Sequence, residues 1–199
     1  MFTGIYQSAA TLVAIAAFYS VDLGFMLRYD RQRQATGSGR SWSFTLMALV
    51  AGAVLVLQPV LVPWMSLRID AWWGALVQLV GVILVGGALL LHAWSRLHLQ
   101  QFYAERVELQ TEHRLVDTGP YAHMRHPLFT AYFLFVTGLL LINPAIPTLL
   151  VAAYTYWDFY GAAKEEEDLL GEKLPGYDRY MARTRRFVPW LRTSSKGGS

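Results

Sequence analysis

The sequence contains no cysteine. That excludes disulfide staples, thiolate nucleophiles and cysteine-ligated metals, and it removes the usual clue to the redox compartment. Charge is scarce too, at 16% of residues against 54% hydrophobic, and it is nearly missing from several runs about as long as the 20 residues that cross a bilayer core. Those runs, not the length of 199 residues, rule out a soluble domain. No basic segment precedes the first run, so no cleavable signal is expected. No polar stretch is large enough for a separate substrate domain. The histidines (His92, His98, His113, His123 and His126) show no paired spacing with an open carboxylate, so no metal site is expected, and His92 and His98 read as histidines at the membrane interface. A nucleic-acid partner is not expected either.

What remains is a polytopic pattern. Apolar runs at 5–27, 43–65 and 72–94 read as full spans, and the shorter runs 128–142 and 148–163 read as a tilted or partly submerged helical hairpin. Pro59, Pro63 and Trp64 break the second run at an interface, and Trp72-Trp73 opens the third with an aromatic belt. Within the third, Gly74, Gly81, Gly86 and Gly87 would let another helix approach closely. Asp22 near the end of the first run is placed to reach the interface or a neighbouring helix. With five crossings, Arg68 alone of the 17 Lys and Arg residues falls on the far side. The positive-inside rule then puts the N-terminus outside and the C-terminus in the cytoplasm, as for a protein of the bacterial inner membrane or its equivalent. The expected fold class is all-α: a polytopic integral membrane protein with about five transmembrane helices and a C-terminal cytoplasmic amphipathic helix. It reads as one membrane domain, with N-terminal spans in 1–98, the chemistry-bearing half in 99–192 and a Ser/Gly-rich tail in 193–199.

Two polar stretches share the cytoplasmic side in this topology. The first, 113–127, sets turn formers and ionisable side chains against the start of an apolar run. Gly119-Pro120 marks a turn, and His126-Pro127 reads as the last bend before a helix beginning near Leu128. The second opens with Lys164 and the acids Glu165-Glu166-Glu167-Asp168. Beyond them Leu169, Leu170, Leu174, Tyr177, Tyr180 and Met181 recur at roughly helical spacing with Arg179, Arg183, Arg185 and Arg186 among and after them. That pattern predicts a basic amphipathic helix lying on the headgroups.

The ordered set His113, Leu115, Val116, Thr118, Gly119, Pro120, Tyr121, Arg125, His126, Pro127, then Asn143-Pro144, Glu165-Glu166, Leu169, Tyr177, Tyr180, Arg186 and Pro189 resembles the isoprenylcysteine carboxyl methyltransferase family. Related phospholipid methyltransferases share part of it. The resemblance runs from near Phe102 to Pro189 and implies S-adenosylmethionine as methyl donor, with S-adenosylhomocysteine as product. It implies a donor site on His113, Leu115, Val116, Gly119, Tyr121, Arg125, His126, Pro127, Glu165 and Glu166, and places Arg125, His126 and Arg186 at the reaction. The chemistry is consistent with this assignment: Glu165 or Glu166 can accept from the donor's ammonium, and Arg125 or His126 can face its carboxylate. Glu167 and Asp168 are expected to be solvated neighbours.

One departure bears on the acceptor. Members directed to prenylcysteine carry an arginine four residues before the glutamate pair, where this chain has Gly161, and Lys173-Leu174 replaces a Phe-Gly before the tail tyrosine. The resemblance therefore implies a methyltransferase acting on a lipophilic acceptor (a prenylcysteine-like carboxylate, a lipid or a small hydrophobic molecule) that enters sideways from the bilayer. O-, N- and S-methylation stay open. The competing classes are an NADPH-dependent membrane sterol or enone reductase and a non-enzymatic membrane scaffold.

Overall fold

The computed structural model describes residues 3–29, 42–67, 71–99 and 115–188. The protein is all-helical, and among the described residues there is no β-strand. The long helices are α1 (Ile5–Tyr29), α2 (Trp42–Leu61), α3 (Ala71–Leu99), α4 (Pro127–Ile142) and α5 (Ile146–Lys173), followed by the short α6 (Tyr177–Arg183). Single 3-10 turns at Pro63–Met65 and Gly119–Ala122 stand before α3 and α4. By length and composition α1, over Ile5–Phe25, and α3, over Trp72–Leu99, are long and apolar enough to cross a membrane. Leu46–Leu61 and Pro127–Ile142 are shorter apolar helices. Leucines and tryptophans such as Leu90, Trp72 and Trp157 stand exposed on the outside of the bundle, as helices that face lipid require.

The core is the seam between α3 and α4, the most extensive helix pairing among the described residues. It is close because two glycines meet there: a Cβ on Gly81 would lie 2.8 Å from the Gly138 carbonyl oxygen, and one on Gly138 would lie 2.8 Å from the Gly81 carbonyl oxygen. Of the other glycines expected to admit a neighbour, Gly86 and Gly87 face open space. Phe18 fills the junction of α1 with this pair, stacking at 4.3 Å on Phe135.

The end of the bundle away from the polar stretches is closed by amides. Gln7 and Gln78 both donate to the Ile142 carbonyl, at 3.3 and 3.0 Å, so the orphan C-terminal acceptor of α4 is met from α1 and α3. Asn143 donates to Gln58 of α2 at 2.9 Å, and Gln58 in turn donates to Ser66 at 3.1 Å. A backbone bond from Leu67 to Pro144 at 2.7 Å ties the α2–α3 and α4–α5 connections together.

Three expectations are corrected. α5 does not stop near Ala163 but runs unbroken through the acids to Lys173, because nothing from Ala163 to Lys173 breaks a helix strongly enough. The single amphipathic helix expected beyond it does not form: Leu174, Pro175 and Gly176, the last at φ +88°, turn the chain sharply, and α6 starts anew at Tyr177. Tyr177 and Tyr180 are buried on the protein, not laid on headgroups. His92 is also misread as an interfacial residue, for it is 1% exposed inside the bundle and bonded to Asp22. Asp22 itself does reach neighbouring helices. The tail from 189 onward, His113 and most of the polar segment before it lie outside the described residues.

Candidate functional site

The site forms where the chain entering α4 meets the chain leaving α6. Tyr180 is buried, and its hydroxyl donates to the Tyr121 carbonyl at 2.7 Å, fastening α6 to the Gly119–Ala122 turn. Gly119, at φ +59°, lets that turn sit against the end of α3, where a Cβ would land on the His98 ring. Leu115 and Val116 precede the turn, which Thr118 enters in extended backbone, and the neighbouring Asp117 pairs with Arg183 of α6. The two segments then run side by side: the Arg125 and His126 amides donate to the Arg185 and Arg186 carbonyls at 2.8 and 3.0 Å. Thr130 closes the clasp with a bond to the Phe187 carbonyl at 2.9 Å. Pro127 occupies the first turn of α4, where its missing N–H is no loss.

This clasp brings three cationic side chains onto one carboxylate. Arg125 Nε donates to Glu167 Oε1 at 2.8 Å, and His126 Nε2 lies 3.0 Å from the same oxygen. Arg186 spans both oxygens, with its Nη2 2.6 Å from Oε2. Arg125 also reaches the Met181 carbonyl at 3.1 Å and bonds the Thr184 carbonyl. Burial alone would raise the Glu167 pKa, but the bonds from His126, Arg186 and Arg125 hold it well below the usual carboxylate range. Arg186 is pushed up in return, chiefly by its bond to Glu167. His126 faces a second carboxylate, with Nδ1 3.5 Å from Glu166 Oε2. Burial would lower its pKa, yet the bonds to Glu166 and Glu167 prevail and raise it. Behind it the ring stacks on Phe129, which stacks on Phe159.

The structure thus gathers Arg125, His126 and Arg186, with Glu166 at the edge. Glu165 is exposed on the outer side of α5, and Asp168 is exposed as expected. Glu167 corrects the reading of a solvated neighbour, since it is 6% exposed and is the hub of the cluster. The helical register carried the signal: Thr148, Ala152, Ala163 and Glu167 are the buried positions of α5, at spacings that keep one face. Ending the helix near Ala163 hid that Glu167 continues the stripe.

A pH dependence follows from His126. A raised folded pKa contributes stability that is fully present below the unfolded value of about 6.5 and is lost as pH rises through the folded value. The melting temperature of wild type should exceed that of His126→Asn at pH 6, and the gap should shrink through the alkaline side of neutrality. A gap that widened with pH would show the imidazole to be held neutral.

An all-helical chain with membrane-length helices and a charge cluster built from the two motif stretches is the class that these features define. Residues 79–172 match the model of the isoprenylcysteine carboxyl methyltransferase (ICMT) family, so the family resemblance holds over α4, most of α3 and nearly all of α5. The chain is 32% identical over 123 residues to the nickel-cobalt-cadmium resistance protein NccN of Alcaligenes xylosoxydans xylosoxydans, covering 61% of this chain and 54% of that protein. It is 27% identical over 121 residues to the cobalt-zinc-cadmium resistance protein CzcN of Cupriavidus metallidurans, covering 60% and 52%. The chain therefore spans about half the length of these curated relatives.

Proposed function

We propose that the protein is an S-adenosylmethionine-dependent methyltransferase for a lipophilic acceptor, working at the cytoplasmic face of a membrane with its N-terminus outside. The supporting observation is the clasp on Glu167, which joins Arg125 and His126 to α5 and Arg186, together with the family match over residues 79–172. The residues present suit the donor's charges. Exposed Glu165 and half-exposed Glu166 offer carboxylates to an ammonium, and Arg186 keeps 27% of its side chain exposed for a carboxylate. Arg125 has its Nε and Nη1 engaged within the protein, so we assign it to holding the cluster rather than to direct contact. The family resemblance adds Leu115, Val116, Gly119, Tyr121 and His126 to the donor site, along with His113, which lies outside the described residues.

When bound, the donor supplies a sulfonium methyl for in-line displacement. The protein's task is alignment and exclusion of water. Glu167 fixes the Arg186 guanidinium, and the stacked His126, Phe129 and Phe159 give an apolar wall that leads from the cluster into the bundle.

S-adenosylhomocysteine should raise the melting temperature of the purified protein in proportion to RT ln(1 + [L]/Kd), and NADPH should leave it unchanged. Stabilisation by NADPH alone would replace this reading with the reductase class. The relatives' names favour a second reading, a part in metal resistance. Among the described residues no three His, Asp or Glu side chains gather to hold a metal ion. Nickel, cobalt and cadmium ions in the same melting assay test direct binding.

A further inference from the structure

Three rings lie nearly parallel behind the clasp. His126 stacks on Phe129 with 2° between their planes, and Phe129 stacks on Phe159 of α5 with 16°. The imidazole meets two carboxylates, Glu167 from Nε2 at 3.0 Å and Glu166 from Nδ1 at 3.5 Å. Ring nitrogens direct their bonds in the ring plane, and a hydrogen bond weakens steeply as its alignment is lost, so the tilt of the ring decides whether both carboxylates are reached. Stacked rings accept a range of offsets, and the stack therefore needs a stop at its far end.

Tyr132 of α4 is that stop. Its ring stands edge-on to Phe159 at 4.8 Å and 74°, and edge-on to the fully buried Phe18 of α1 at 4.9 Å. Its hydroxyl donates to Asp22 Oδ2 at 3.3 Å. The other oxygen of Asp22 lies 3.0 Å from His92 Nε2 and 3.3 Å from Arg96 Nε, so the buried carboxylate is fixed between α1 and α3. His126, Phe129 and Tyr132 follow at three-residue steps from the N-cap of α4, which puts about 9 Å of helix between anchor and clasp at 1.5 Å per residue. The family match begins at residue 79, so the carboxylate that anchors the stack comes from a helix that the match does not reach.

We infer that Tyr132, anchored on Asp22, is a positioning residue that sets the plane of the His126 imidazole through Phe159 and Phe129, and that α1 thereby acts on the donor site. The effect on the donor rests on the methyltransferase reading; the effect on the imidazole does not. A Tyr132 ring released from Asp22 lets Phe159 and Phe129 turn, and the imidazole then aligns with one carboxylate at the expense of the other.

The test uses the full chain in lipid nanodiscs. Tyr132→Phe keeps the ring and removes only the hydroxyl. The His126 signals of histidine-labelled protein are assigned by their loss in His126→Asn, and the carbon-bound protons of the imidazole report the ring currents of the stack. In Tyr132→Phe these signals should move, and affinity for S-adenosylhomocysteine should fall about two- to tenfold, the effect of one hydrogen bond on an equilibrium. With Phe159→Leu already in place, adding Tyr132→Phe should change neither readout further, because the route is cut. Tyr156→Phe removes a hydroxyl from the same pair of helices, one that lies 2.9 Å from Thr137 Oγ1, and should leave both readouts as in wild type. A general loosening of α4 against α5 would register there as well. His126 signals that stay in place in Tyr132→Phe, an effect of Tyr132→Phe that persists in full without the Phe159 ring, or equal shifts from Tyr156→Phe overturn the inference. If wild type fails to bind S-adenosylhomocysteine, the donor assignment falls by that result alone, and the His126 signals still decide the role of Tyr132.

Discussion

Glu167→Gln is expected to destabilise the protein by about 3–5 kcal/mol, the range for removing one partner of a buried ion pair. The substitution keeps the shape of the side chain and removes the charge that three neighbours share. Arg125, which is 12% exposed, and His126, at 4%, would be left with their desolvation unrelieved. Arg186 is more open and adds less, because water can screen it. The clasp would loosen with the cluster, so donor binding should fall as well. Asp168→Asn on the exposed side should change stability by under about 0.5 kcal/mol, as surface substitutions do. The comparison is made by melting and by S-adenosylhomocysteine titration of both variants beside wild type. Equal, small effects from the two would remove Glu167 from the centre of the site.

Gly138→Val should be nearly as severe, at or above the upper end of the ~1–3 kcal/mol typical of overpacking. The added atoms would meet Gly81 backbone and the Val85 side chain and amide, and a backbone cannot yield as a flexible side chain does. Gly81→Val should act in the same way, since its Cβ faces the Gly138 carbonyl and the Ile142 amide. Gly86→Ala on the same helix faces open space and should be neutral. Thermal unfolding in detergent ranks the three, and tolerance of Gly138→Val would mean that α3 and α4 part more easily than the seam implies.

The helices of this protein were readable from hydropathy because lipid-facing sequence is apolar on every side, and the run boundaries fall within a few residues of α3 and α4. The stretch around Arg125 and His126 stood out because its ordered residues resemble a family pattern, which cations before an apolar helix would not do alone. The identity of the carboxylate that they meet was hidden. Four adjacent acids differ only in the direction that they point, and that depends on whether α5 continues beneath them. The turn at Gly176 was equally obscured by leucines and tyrosines that kept a helical spacing across it. Asp22 with His92 was out of reach for another reason, since the two stand 70 residues apart and only the meeting of α1 with α3 joins them.

The amide closure at the end of α4 sets how the protein should come apart. Gln7, Gln58, Gln78 and Asn143 carry no titratable proton, so neither acid nor salt acts on that lock directly. The Glu167 clasp is the opposite, an assembly of charges that fails when its carboxylate is finally protonated. Acid should therefore fray the molecule from one end, releasing α6 and the approach to α4 while the hairpin turn between α4 and α5 stays fastened to its neighbours. Amide hydrogen exchange at stepped pH would record this as a gradient of protection along α4, steepest at Thr130 and flat near Ile142.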